Sequence, residues 1–187
     1  MTKFPLYTLL ISLTCVIVYN SEVLSSLLIY DRLGIINGEL WRFFSSIFVH
    51  LSLSHLLYNV MAFMFLAYFV EQKNKYIFLF IIIFMVSFNG MFLFIFEDDM
   101  MYYGGISGVN YAFLFYLVLS FDYPSRGWKR FSQLILIILI VKLFMELCNC
   151  SLTLEYLEKE AFRVSSLSHA LGILSAWAMY MFEKRKG

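Results

Sequence analysis

Three histidines, one serine and one asparagine carry most of the chemistry this chain offers. His50 and His55 stand five residues apart in the stretch HLSLSHLLYN, which ends in Asn59. Ser107 lies in GGISGVNY, and the third histidine, His169, in SSLSHALG. A serine hydroxyl is a weak nucleophile until a base within hydrogen-bond reach takes its proton, and histidine is the usual base. Ser107 and His169 therefore read as nucleophile and general base for acyl transfer. His55 and Asn59, four apart, fall on one helix face, and each can donate a side-chain hydrogen bond to the negative oxygen that develops in acyl transfer. The backbone N–H of Ser107, at a helix start, is a third donor. Tyr111, one turn further on, is expected to pack on His169 and hold its ring, the orienting role of the aspartate in a three-residue triad. No intramembrane aspartate is available for it.

A different chemistry competes for the same residues. His50, His55 and His169 could act as three zinc ligands, leaving a water to hydrolyse a substrate. Their spacing is not H-x-x-x-H, and Ser107 would then have no role. A transporter or scaffold would place polar residues along a midplane path or in inverted repeats, and neither pattern is present. No cofactor motif occurs, and Cys15, Cys148 and Cys150 have no metal-ligand spacing and argue for no disulfide. No basic stripe suggests nucleic acid.

The elements that must position these residues are membrane helices. The chain is 61% apolar and only 14% charged, which is membrane composition rather than that of a soluble domain. Its apolar runs are continuous rather than alternating, which excludes barrel strands. The fold class is therefore all-α and polytopic, one domain over residues 1–187, with six transmembrane helices near 4–28, 55–70, 76–96, 107–121, 131–147 and 164–182. The second and fourth are short for a full crossing, so their ends fall inside the membrane depth. The first exceeds the apolar core of a signal peptide and precedes no small-residue cleavage site.

Assigning loops alternately to the two sides puts Lys3, Lys73, Lys75, Arg126, Lys129, Arg130, Lys184, Arg185 and Lys186 on one face. Arg32, Arg42, Lys159 and Arg163 fall on the other with Glu97, Asp98, Asp99, Glu155, Glu158 and Glu160. The positive-inside rule then makes both termini cytoplasmic. Helices 2, 4 and 6 all start outside, so His55, Asn59, Ser107 and His169 share one outer level. Small residues at spacing four, Gly104, Gly108 and Ala112 in helix 4 and Ser168, Gly172 and Ala176 in helix 6, predict close approach of those two helices.

Remaining polar residues have plainer readings. Taken alone, a serine in a membrane helix most often bonds its own backbone. Lys142 and Glu146, four apart in helix 5, are expected chiefly to neutralise each other. Glu22 lies near the outer end of helix 1, and EKRKG at the C-terminus reads as a topology signal.

The chain resembles the rhomboid family of intramembrane serine proteases in three motifs. They are ELWRFFSSIFVHLSLSHLLYN, GGISGVNYAF with its Gly-x-Ser-Gly from Gly105 to Gly108, and SHALG. The resemblance covers nearly the whole chain and fits the minimal six-helix bacterial form. It implies a Ser107–His169 dyad, an oxyanion hole of His55 and Asn59, and Tyr111 stacked on His169. His50, Trp41 and Arg42 match positions that stabilise the first outer loop, and Glu71 a structural glutamate at the inner end of helix 2. The sequence departs from the family near Glu71, with Ala67 and Lys75 at spacings of four where glycine is frequent. The resemblance further implies membrane-anchored protein substrates in the lipid bilayer, no metal, and residence in a bacterial inner membrane with the site towards the outer face. Rhombosortases, a subgroup of similar size thought to remove C-terminal Gly-Gly anchors, are an alternative, although GVNYAF after the serine looks more like the general form.

Overall fold

The computed structural model describes residues 4–121, 124–148 and 165–186. Cys150, Lys3, Lys159, Arg163, Glu155, Glu158, Glu160 and the expected first residue of helix 6, Val164, lie outside the described residues. The chain is an all-helical membrane bundle, and six helices among the described residues run fourteen residues or more.

Helix α1, Leu6–Tyr19, begins with backbone N–H groups that have no intrahelical acceptor. Glu71 supplies one: its carboxylate accepts from the N–H of Tyr7 (3.2 Å) and of Thr8 (2.9 Å) and from the Thr8 hydroxyl (2.7 Å). A negative group at a helix N-terminus also complements the helix dipole. Ala67, one turn before Glu71, is fully buried.

The expected continuous helix over 4–28 is broken. α1 stops at Tyr19, and α2, Glu22–Leu28, leaves it at 107°. Asn20 folds its amide back onto the Val16 carbonyl (2.8 Å), and Ser21 caps α2 by accepting from the N–H of Leu24. Asn and Ser compete for backbone groups in this way and favour helix ends over interiors. Glu22 is consequently a first-turn acid of α2 rather than a residue within a span.

A surface segment follows: strand β1 (Tyr30–Asp31), short helices α3 (Arg32–Ile36) and α4 (Arg42–Ser45), and a 3-10 turn, Ser46–Phe48. α4 satisfies the C-terminal carbonyls of α2. Arg42 donates to Ser26 and Ile29 (2.8 Å each), Trp41 to Leu27 (3.0 Å) and Ser45 to Leu28 (2.7 Å). Buried Arg42 also pairs with Glu39.

α5, Leu53–Lys73, is 21 residues long and capped by Ser52, so it is longer than the expected 55–70 and able to cross. α6, Lys75–Phe96, also has the length and hydropathy to cross. Asn74 caps its start, while Arg32 donates to the carbonyls of Phe94 and Glu97 at its end and lies over the Phe94 ring. Strand β2 (Tyr102–Tyr103) pairs antiparallel with β1, Tyr30 opposite Tyr103.

α7, Ser107–Ser120, has 14 residues. At 1.5 Å per residue it is about 21 Å long against a hydrocarbon core of about 30 Å, so one end lies within the membrane depth. α8 spans Arg126–Leu147, and α9 spans Ser166–Lys186, further than the expected 182. Glu183, in the run read as a topology signal, does more than set orientation. It accepts from Asn74 (3.1 Å) and from the Tyr116 hydroxyl (2.8 Å), tying α9 to the α5–α6 turn and to α7.

α7 packs most extensively against α9. A Cβ on Gly172 would lie 2.0 Å from the Gly108 carbonyl oxygen, and one on Gly108 would lie 2.5 Å from Ser168 Oγ. These two glycines let the backbones meet. Gly104 plays no part in that seam, because it precedes α7 and abuts the Val49 backbone. Substitution of Gly172 by Val should therefore force α7 and α9 apart. Such overpacking costs on the order of 1–3 kcal/mol or more, and a clear fall in the thermal unfolding midpoint in detergent is expected. Gly127→Ala, at an open helical position, should leave the midpoint unchanged or raise it.

Candidate active site

The N-terminal ends of α5, α7 and α9 meet at one end of the bundle, where His55, Ser107 and His169 each sit in a first turn. Ser107 is the first residue of α7 and half-buried. His169, on α9, is 2% exposed. The Gly108–Gly172 contact brings their backbones close enough for a side chain with a single carbon to bridge the gap. Ser107 Oγ and His169 Nε2 are 2.9 Å apart.

The loop before Ser107 is held on both sides. Gly105 has φ +134°, a conformation that favours glycine, and a Cβ there would lie 2.9–3.0 Å from the His55 ring. The His55 imidazole thus lies over Gly105, two residues from the serine. The Gly105 N–H donates to the Ser46 carbonyl (3.1 Å). From the other side the Tyr103 hydroxyl donates to the Gly105 carbonyl (3.3 Å) and shares a hydrogen bond with Ser168 (2.8 Å). Ser165 caps α9 by accepting from the Ser168 N–H and itself donates to Glu97 (2.9 Å).

Asn59 lies one turn below His55, and its amide donates to the His55 carbonyl (3.0 Å). Asn110, on α7, donates to both the backbone carbonyl (3.0 Å) and the side-chain oxygen (3.3 Å) of Asn59. Sequence reasoning did not single out Asn110. Its signal was position: three residues after Ser107, hence on the serine's side of α7.

His50 is buried at the approach to α5, with its ring 5.0 Å from that of His55. Burial, and then the neighbouring His55, push its pKa down to about 3, so the imidazole is neutral. Of the three residues expected to stabilise the loop, Trp41 and Arg42 tie it to the carbonyls of α2, and His50 packs on His55. For the zinc alternative, no group of three or more His, Cys, Asp or Glu among the described residues is placed to hold a metal ion. His169 turns one nitrogen to Ser107 and the other to a carboxylate. Cys15 is a buried thiol within α1.

Tyr111 lies flat on His169, ring centroids 3.9 Å apart and planes at 7°. Beyond it the sequence reasoning missed a contact. Glu146, read as the partner of Lys142, does bond it, Lys142 Nζ to Glu146 Oε1 at 2.5 Å. Its other oxygen, Oε2, is 2.7 Å from His169 Nδ1. The Tyr111 hydroxyl donates to Glu146 Oε1 (3.0 Å) and accepts from Lys142 (2.5 Å). A glutamate four residues from a lysine looked satisfied already, and nothing local in the sequence connects residue 146 to residue 169.

Comparison with known proteins gives the family. A family model described as the Rhomboid domain matches residues 37–185. The proteins named Rhomboid protease GlpG from Salmonella paratyphi A (strain ATCC 9150 / SARB42), Salmonella typhi and Salmonella newport (strain SL254) are each 31% identical to the chain over 149 residues. Each alignment covers 68% of this chain and 50% of the relative, so the chain spans about half the length of the curated relatives it matches. With the match running from residue 37, ahead of α4, to residue 185, within α9, the chain belongs to the rhomboid family.

Proposed function

We propose that this protein is an intramembrane serine endopeptidase that hydrolyses a peptide bond in or near the outer end of a substrate's transmembrane segment. The 2.9 Å hydrogen bond between Ser107 Oγ and His169 Nε2 is the observation that supports this reading most directly. As Oγ attacks the carbonyl carbon, its proton passes to His169 Nε2 and the carbonyl π pair moves onto oxygen. His169 then returns the proton to the leaving amine nitrogen, and the acyl group stays on Ser107. Water, deprotonated by the same nitrogen, attacks the acyl carbon; the C–Oγ bond breaks and His169 returns that proton to Ser107 Oγ, freeing the acid.

The developing oxyanion is stabilised by the Ser107 N–H at the start of α7 and by the side chains of His55 and Asn59. Asn110, holding Asn59 by its oxygen, leaves the Asn59 amide N–H groups as the donating side. Gly105 and Gly108 support the nucleophile by admitting the His55 ring and the α9 backbone. His50, neutral and buried, steadies His55, while Trp41 and Arg42 anchor the outer segment.

A 14-residue α7 supports a nucleophile lying below the membrane surface, where the scissile bond of a membrane-anchored protein would be found. The charge bias supports cytoplasmic termini and an outward-facing site, and the Salmonella relatives support a bacterial inner membrane. Their names also favour the general protease over rhombosortase-like removal of Gly-Gly anchors.

Co-expression with a single-span model substrate tests the dyad. Ser107→Ala and His169→Ala are each expected to reduce cleavage by about 10³-fold or more, and full-rate cleavage by either variant would falsify the dyad. The oxyanion assignment has its own readout. His55→Ala and Asn59→Ala should each lower kcat by about 10²-fold, with the thermal midpoint close to wild type; a kcat left within twofold removes that residue from the hole.

A further inference from the structure

We propose that Glu146 is a positioning residue for His169, completing a serine–histidine–carboxylate chain assembled from α7, α9 and α8. The inference rests on Ser107 and His169 being the nucleophile and base, and it assigns a role to a side chain that the dyad leaves out. A neutral imidazole carries one N–H, so His169 can take the serine proton at Nε2 only if its own proton sits on Nδ1. An ionised carboxylate is an acceptor and cannot donate. With Glu146 Oε2 at 2.7 Å, Nδ1 must be the protonated nitrogen, and the reactive tautomer is selected before substrate arrives. When Nε2 gains the serine proton, the imidazolium forms beside a negative charge and is stabilised by it; the Nδ1 proton stays where it is.

The carboxylate is itself held. The Glu146 side chain is 12% exposed, and Oε1 faces two donors, Lys142 Nζ and the Tyr111 hydroxyl. Tyr111 closes the arrangement from a second direction, since its ring covers the imidazole while its hydroxyl grips the acid. A purely structural Lys142–Glu146 pair would be satisfied through Oε1 alone. Directing Oε2 at the one ring nitrogen not used by Ser107 is the extra feature the proposal explains.

That geometry makes an unusual ordering of variants. In Glu146→Gln the amide oxygen should take the Oε1 position, where Lys142 and Tyr111 both donate, leaving the NH₂ group against His169 Nδ1. An NH₂ there donates, the imidazole proton moves to Nε2, and the base faces Ser107 with the wrong tautomer. In Glu146→Ala no group forces either tautomer. The full chain in detergent or proteoliposomes, with a single-span substrate, gives kcat and KM for wild type, Glu146→Gln, Glu146→Ala, Glu146→Asp and Ser107→Ala. Glu146→Gln is expected to lose about 10³-fold or more in kcat, more than Glu146→Ala, with KM within about twofold of wild type. Glu146→Asp, still an acceptor, should retain more activity than Glu146→Gln. A lowered thermal midpoint with equal losses for Gln and Ala would mean a structural role alone and overturns the proposal. So does kcat within twofold of wild type in both, with Ser107→Ala inactive. Cleavage by Ser107→Ala would instead remove the serine reading on which the proposal stands.

Discussion

The approach of α7 to α9 governs everything that the site can do. Serine has one side-chain carbon, so a hydrogen bond from Ser107 to His169 demands that two helix backbones come nearly into contact. Gly172 against the Gly108 carbonyl provides that contact, with no room for a Cβ at either residue. In lipid there is little hydrophobic drive to press helices together, and close packing with interhelical hydrogen bonds does the work instead. The bond between Tyr103 and Ser168 and the cap from Ser165, itself anchored on Glu97, fix the axial register of α9 against the loop that leads into Ser107. Spacing and register together turn two distant sequence positions into one hydrogen-bonded pair.

The rest of the bundle follows the rule that a helix end away from water must find partners for its free backbone groups. Glu71 takes the N–H groups at the start of α1. Trp41, Arg42 and Ser45 take the carbonyls at the end of α2, and Arg32 those at the end of α6. At the end of α7 away from Ser107, Lys73 donates to the Ser120 carbonyl that closes the helix. Several of the charged or polar side chains that sit outside the site are thus helix-end ligands contributed by another segment. Each joins two elements while satisfying groups that would otherwise be costly, by roughly 1–3 kcal/mol for a buried unpaired donor or acceptor.

This division explains what could be read from the sequence. Membrane class, helical fold, the serine, the three histidines, Asn59 and the glycine stripes all rest on local signals: apolar runs, spacing of three or four, small residues in line. Tyr111 could be anticipated because it is one turn from Ser107. The break at Asn20 and Ser21 was hidden by hydropathy, which averages over two polar residues that are good caps. The length of α5 was underestimated because Glu71, Gln72 and Lys73 looked like a boundary, although Glu71 stays in the helix to reach α1. Partners far apart in sequence, Glu183 with Tyr116, Asn110 with Asn59 and Glu146 with His169, carry no periodic signature. Asn110 and Glu146 are visible as polar residues in an apolar setting and Glu183 as part of a charged run, but the partner of each is not.

α8 shows how the last of these contacts bears on the whole. Of its 22 residues only Ser132 and Leu139 are buried, and its outward face of Phe131, Leu134, Ile137, Ile138 and Phe144 remains exposed as a lipid-facing surface. Such a face gains nothing by leaving lipid, so apolar contact does little to hold α8 against its neighbours. Near its C-terminal end the attachment is polar, through Lys142 and Glu146 to Tyr111 and His169. A charged pair in this setting is tolerable because each member has a hydrogen-bonding partner besides the other. The same four side chains therefore set the orientation of one imidazole and the position of one helix. The orientation of His169 is thereby coupled to where α8 sits, since any outward displacement of that helix withdraws the carboxylate from His169 Nδ1 while leaving the Gly108–Gly172 seam intact.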